Sequence, residues 1–430
     1  MNAPRNTKHQ VEVCIGKAGL PVGQLAHVRQ GQRENAVFAY DPRWLTSDTR
    51  FAISPDLPLT PGHHTRRAPS TADSVFHFAL ADTAPDAWGR RVIARAHARA
   101  RKADPQLAAL TELDYLLAVD DFSRVGALRL RQAGGDFLGG TADGQPATPP
   151  LLELEHIANA SRAVEQGRET AEDLKYLQGK GTSLGGMRPK CTVLDKAAVL
   201  AIGKFPSIND TRSVTRGEVL ALRLAAKAGI DAAPARIVEI GGIAVAVIER
   251  FDRTRDGARI PYLSAASMLQ ASREEDRSYA EIADAVRTRC IAPVDDVRQL
   301  WRRMLFNLLI TNVDDHLQNL GFLYAGQGQW RLAPAFDLNP FPDKDRESKT
   351  WLTPESGPVD SVGGLLAEAA YFNLAPSDAL QVLSEVRGAV SRWRVEARTA
   401  KVGLSAAELD DFAPAFEHAA MDEARQALRT

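Results

Sequence analysis

The chain has 430 residues, 44% hydrophobic and 25% charged, with 53 Lys and Arg against 54 Asp and Glu. That is ordinary soluble composition with material for a sizeable core and two or three domains. The formal charge of −1 excludes a bulk electrostatic demand for nucleic acid or membrane. Cys14, Cys191 and Cys290 are few, odd in number and far apart, which argues against a disulfide framework or zinc site and for a reducing cytoplasm. The first ten residues are polar with no apolar signal core, and no apolar run reaches membrane-spanning length.

In chain order, the alternation over 10–14, 19–28 and 36–40 predicts short strands of one small sheet. Residues 86–102 read as a helix with Arg91, Arg95 and Arg99 four apart, a stripe expected to be a solvated face. A further helix is expected over 110–119 and a strand over 126–130. Residues 134–150, rich in Gly, Pro, Thr and Ala, are the best linker. The expected division is an N-terminal α+β module over 1–133, a linker over 134–150, a small lobe over 151–253 and a helical large lobe over 254–430.

Helices are predicted over 151–164 and 170–177, a glycine-rich loop over 181–190, and strands over 192–194 and 197–203. A helix follows over 215–228. Gly241-Gly242 between 237–240 and 243–249 is a strong two-residue hairpin signal. Beyond 253 the pattern turns helical: Val297, Leu300, Met304 and Leu308 make one apolar stripe. A hairpin spans 320–332, and helices are expected over 362–370, 379–397 and 405–428.

Two acidic segments carry the chemistry. Asp314-Asp315-His316-Leu317-Gln318-Asn319 has the Asp-x4-Asn spacing of a kinase catalytic loop, in which Asp takes a hydroxyl proton and Asn holds magnesium. Asp337, after the hairpin, stands where a kinase places its main metal ligand, and oxygen donors on loops suit Mg²⁺. Taken singly, either Asp is an ordinary turn residue. Upstream parts fall in kinase order: the glycine-rich loop, then Lys204 after an apolar run, then Glu218 in a helix. Glycines at 185 and 186 let backbone N–H groups approach phosphate, although the segment is not a Walker loop. Glu218 either pairs with Lys204 or closes a capping box begun by Thr215. Residues 249–253 end the hairpin at the expected lobe junction, where backbone groups can read an adenine edge. His316 either touches phosphate or is structural.

These segments together resemble the HipA-like serine/threonine kinase toxins of bacterial toxin–antitoxin modules. The matching residues are Ser183-Leu184-Gly185-Gly186 through Pro189-Lys190, Ile248-Glu249-Arg250-Phe251-Asp252-Arg253, Asn312 to Asn319, and Leu332 to Pro340, with Pro85-Asp86-Ala87-Trp88-Gly89-Arg90-Arg91 in the N-terminal module. The resemblance implies an α+β, bilobal kinase-like fold with an extra N-terminal module. It implies Asp314 as catalytic base and Asn319 and Asp337 as Mg²⁺ ligands. ATP would be bound by Gly185, Gly186, Met187, Arg188, Pro189, Lys190 and Lys204, by Glu249, Arg250 and Phe251, and near His316. Ser183 would be autophosphorylated. It further implies a protein substrate such as an aminoacyl-tRNA synthetase, a small helix-turn-helix antitoxin as partner, and operator DNA through that partner. Two departures stand out. Asp315 replaces the Gly found beside the base in some members, and the metal segment reads Asp-Leu-Asn rather than Asp-Phe-Gly. The competing readings are a catalytically silent co-repressor or scaffold, its basic cluster Arg387, Arg392, Arg394, Arg398 and Lys401 near DNA, and a small-molecule kinase.

Overall fold

The computed structural model describes residues 7–31, 33–68, 70, 73–139, 153–178, 186–195, 199–344 and 347–429. The chain forms two compact units: Met1–Ile208 with Asp252–Leu263, and Asn209–Phe251 with Ser264–Thr430. Residues 151–253, expected as one lobe, are thus shared between them. Ser183, Gly185 and most of the expected linker lie outside the described residues.

In the first unit, strands β1 (Thr7–Ile15), β2 (Leu20–Gln30), β3 (Arg33–Tyr40), β4 (His64–Arg66) and β5 (Leu128–Arg131) make an antiparallel sheet in the order β4-β3-β2-β1-β5. The period-2 pattern sends Val11, Val13, Leu25, Phe38 and Leu130 to the core. The helix Ala87–Ala103 buries Trp88, Val92 and Ile93. Its arginine stripe is exposed at Arg91 and Arg99, as expected of a solvated face, and each member also finds an acceptor within the unit. Arg95 pairs with Glu169 at 2.7 Å, Arg91 donates to the Val164 carbonyl, and Arg99 donates to the Glu169 carbonyl. Val164 lies in the last turn of the helix Leu154–Gln166, whose partial negative end favours a guanidinium. Strands β6 (Lys190–Leu194) and β7 (Leu200–Lys204) pair antiparallel, with Lys190 opposite Lys204.

The second unit opens with the helix Val214–Lys227 and the hairpin of β8 (Ala235–Ile240) and β9 (Ile243–Glu249). Gly241 and Gly242 both sit at positive φ, 56° and 76°, as a tight primed turn demands. The capping box proposed for Thr215 and Glu218 does not form. The helix begins one residue earlier, Ser213 is its cap position, and the Thr215 hydroxyl donates instead to the Ala244 carbonyl at 2.9 Å. Glu218 is buried inside the helix.

The helix Pro293–Leu309 starts on a proline at its first turn and buries Val297, Leu300, Trp301, Met304, Leu305 and Leu308. Trp301 Nε1 donates to the Leu365 carbonyl at 3.0 Å, which fixes the helix against its neighbour. Strands Gly321–Gly326 and Gln329–Leu332 form the expected hairpin. The two long C-terminal helices expected from the pattern are each broken. The first divides into Pro376–Val390 and Trp393–Ala397, the second into Ala406–Phe416 and Ala419–Ala427. Ser391 ends one by turning its hydroxyl back onto the Gly388 carbonyl, and Trp393 then stacks on Phe416 with centroids 4.6 Å apart. Among the described residues, no helix is long and apolar enough to cross a membrane.

Candidate active site

The long helix Pro293–Leu309 delivers the chain to Thr311, which takes a left-handed φ of 52°, and then to Asn312. Asn312 is buried and works as a brace. Its Nδ2 donates to Asn307 Oδ1 at 3.0 Å and its Oδ1 accepts from the Asn339 backbone at 3.3 Å. One side chain therefore ties the Asp314 loop to the Asp337 segment.

The neighbouring aspartates separate cleanly. Asp315 is buried, and its carboxylate accepts from the Tyr279 hydroxyl and from the Lys349 backbone N–H, both at 2.7 Å. Burial pushes its carboxyl up, and the Tyr279 hydrogen bond opposes that shift. Asp314 is part-exposed; it pairs with Lys349 Nζ and has His316 Nε2 at 3.9 Å. His316 Nδ1 is buried without a hydrogen-bond partner.

Asn319 closes the short 3₁₀ turn Leu317–Asn319 and donates through Nδ2 to the Asp314 carbonyl at 2.8 Å. Asp337 holds a left-handed backbone, φ 55°, unusual for a residue with a Cβ, and its Oδ1 accepts from Asn339 Nδ2 at 3.0 Å. Such strain persists only where the surroundings over-determine it, and it concentrates at functional sites. Asn319 and Asp337 line one small cavity of about 30 Å³, together with Asn312, Asp315 and Tyr279. Among the described residues no cluster of three His, Cys, Asp or Glu makes a self-sufficient metal cage. One carboxylate and one amide oxygen instead fit a hard cation that keeps waters and shares phosphate oxygens, as Mg²⁺ does. Phe251 packs on Phe336 beside the same segment, with centroids 5.5 Å apart, and the Glu249 N–H bonds the Pro234 carbonyl. Arg250 is buried.

The upstream residues belong to the first unit. Gly186, at φ 86°, gives its carbonyl to the Trp88 N–H, and a Cβ there would meet Lys190 Nζ at 3.0 Å. Met187 is exposed, Arg188 is half-buried, and the Pro189 carbonyl accepts from Phe205 N–H. Lys190 closes this segment. It is buried and paired with Asp86 Oδ2 at 3.1 Å. Asp86 also caps the helix Ala87–Ala103 by accepting from Gly89 N–H at 2.7 Å. Burial raises the Asp86 carboxyl, and the ammonium of Lys190, then that of Lys204, pull it back. Lys204 is buried at the end of β7. It lies in the first unit and Glu218 in the second.

Asp86, Tyr279, Asn312 and Lys349 carry no role in the sequence pattern alone. Asp86 and Asn312 sat inside quoted motifs, whereas a lone Lys in a polar stretch carried no signal.

The HipA N-terminal domain family matches residues 13–118, and the HipA-like C-terminal domain family matches residues 182–393. The chain belongs to the HipA-like family. Its α+β fold is the HipA fold: a HipA chain solved in a Shewanella oneidensis toxin–antitoxin complex with HipB and operator DNA superposes with a TM-score of 0.66, at 17% identity, over 97% of this chain and 96% of that one. Among curated relatives, "Putative kinase Y4mE" of Sinorhizobium fredii is 26% identical over 47% of this chain and 43% of its own length. A "Putative kinase" of Haemophilus influenzae is 26% identical over 40% of this chain and 57% of its own. This HipA-like chain thus spans about half the length of the curated relatives it matches.

Proposed function

We propose that this HipA-like chain is an ATP- and Mg²⁺-dependent protein kinase that phosphorylates a serine or threonine hydroxyl. The observation that carries the reading is the shared cavity of Asn319 and Asp337, with Asp314 tied to Asn319 through its own carbonyl. Two relatives named as kinases support the reaction class.

Asp314 is proposed to receive the acceptor's proton: its side chain is 37% exposed, whereas Asp315 is consumed by internal hydrogen bonds. Asn319 and Asp337 would hold Mg²⁺, which neutralises phosphate charge when bound. Asn312 accepts from the Asn339 backbone N–H and keeps the two loops in register, while the Asn339 side chain holds Asp337, so the proposed catalysis rests on positioning and electrostatics. Within the second unit, residues 249–251 are proposed to serve the adenine.

The proposed acceptor is a protein such as an aminoacyl-tRNA synthetase, in the cytoplasm. A helix-turn-helix antitoxin, and operator DNA through it, are the proposed partners, in keeping with the Shewanella complex. Ser183 is proposed as a self-phosphorylation site, since a phosphate of roughly −1.5 to −2 charges in an ATP-phosphate loop repels nucleotide.

Transfer from γ-labelled ATP to a synthetase panel and to the chain itself tests the reading. Asp314→Ala should reduce transfer by roughly 10²–10⁴-fold. Asp337→Ala should remove the Mg²⁺ dependence together with activity. Undiminished transfer by either variant would overturn the assignment, and phosphopeptide mapping without phospho-Ser183 would remove the self-modification.

A further inference from the structure

We propose that Lys349 is a catalytic residue of this site, its ammonium seated on Asp314 so as to meet the phosphoryl group during transfer; this rests on the kinase reading above. The lysine comes from neither acidic loop. Its position is nonetheless set by the chain on both sides. Its own N–H donates to Asp315 Oδ1 at 2.7 Å, the Thr350 hydroxyl donates to the Asp315 carbonyl at 2.6 Å, and the Trp351 N–H bonds the Arg277 carbonyl at 2.9 Å. Ser348 completes the anchor by donating to the Thr350 carbonyl at 2.8 Å. The backbone is thus fastened to the buried partner of the base while the side chain reaches the base itself.

A stabilising role is a poor account of the pair. The Lys349 side chain is 56% exposed and that of Asp314 37%, and ion pairs this open to solvent add little to stability. Residues 315–319 provide no Lys or Arg. Lys349 supplies the fixed positive charge that this loop lacks. In the step, the acceptor oxygen bonds to the γ-phosphorus and the bond from that phosphorus to the oxygen bridging to ADP breaks. The hydroxyl proton goes to Asp314. Lys349 stays protonated throughout, offsetting the charge spread over the phosphoryl oxygens.

The test uses the full chain with Mg²⁺-ATP and compares wild type, Lys349→Met, Lys349→Arg and Asp314→Ala. Steady-state kinetics, calorimetric ATP binding and thermal melting are read together. Lys349→Met should lower kcat by roughly 10²-fold, the scale for losing one preorganised charge donor. ATP affinity and melting temperature should stay at wild-type values, and Lys349→Arg should recover part of the rate. Wild-type kcat in Lys349→Met, or a deficit confined to ATP affinity or melting, would overturn the proposal. Should wild type transfer phosphate, Asp314→Ala fail and Lys349→Met match wild type, only the lysine assignment falls. Should wild type itself transfer nothing, the kinase reading falls and takes this inference with it.

Discussion

Adjacent acids of one type do opposite work here because their surroundings differ. Asp315 is enclosed and committed to Tyr279 and the Lys349 N–H, whereas Asp314 keeps a carboxylate at the surface of the site. Substituting each by Asn should therefore separate function from stability. Asp314→Asn should abolish transfer with an unchanged melt. Asp315→Asn brings an amide N–H against the donors already there, leaving a buried polar group unmatched at about 1–3 kcal/mol. Its melting temperature should fall, read by differential scanning calorimetry, while Mg²⁺-ATP still binds. The spacing to Asn319 singled out Asp314 in the sequence. The enclosure of Asp315 was not legible there, because it depends on Tyr279 and Lys349, each more than thirty positions away.

The elements show where pattern reading holds and where it stops. Amphipathic stripes and the Gly-Gly turn located the central helix and the β8–β9 hairpin, since those signals are local. The C-terminal helices were read too long, because the breaks at Ser391 and Glu417 answer to tertiary contacts: Glu417 accepts from Trp393 Nε1 at 3.1 Å and from Arg394 at 2.6 Å. The resemblance implies Lys190 as part of the ATP-binding segment, and the structure holds it in a buried ion pair. Its partner Asp86 lies 104 positions earlier, beyond the reach of any local pattern. Asp86→Ala removes a helix cap, about 1 kcal/mol, and strands a buried ammonium, about 3–5 kcal/mol. A large drop in denaturant midpoint should follow. An Asp86→Leu, Lys190→Met double replacement should recover much of it, because paired apolar groups leave no buried charge. A double variant no more stable than Asp86→Ala would show that the ion pair is not the source.

For the whole molecule, near-zero net charge leaves the acid limit of stability to specific carboxylates. Glu396 is one: burial alone would raise its carboxyl, but Lys227 and Arg223, each at 2.5 Å, outweigh that and hold it below the ordinary range. A depressed folded pKa contributes stability above the unfolded value, about 4.3, and that contribution is lost as pH falls through the folded value. Glu396→Gln should melt lower than wild type at pH 7, with the gap closing in melts taken below about pH 4.3. A constant gap across that range would exclude Glu396 as the titrating group.

The crossing of the polypeptide back into the first unit at Asp252–Leu263 has a practical edge. Within that return, Asp252 accepts from the Gly126 N–H at 2.7 Å, while Arg253 reaches the Gly126 and Arg124 carbonyls at 2.9 and 2.7 Å. No scissor placed at a lone peptide bond yields two self-contained fragments: a piece opening at residue 209 would carry away a latch whose keeper stays behind. Excised halves of this protein are therefore unsuitable stand-ins for the intact chain.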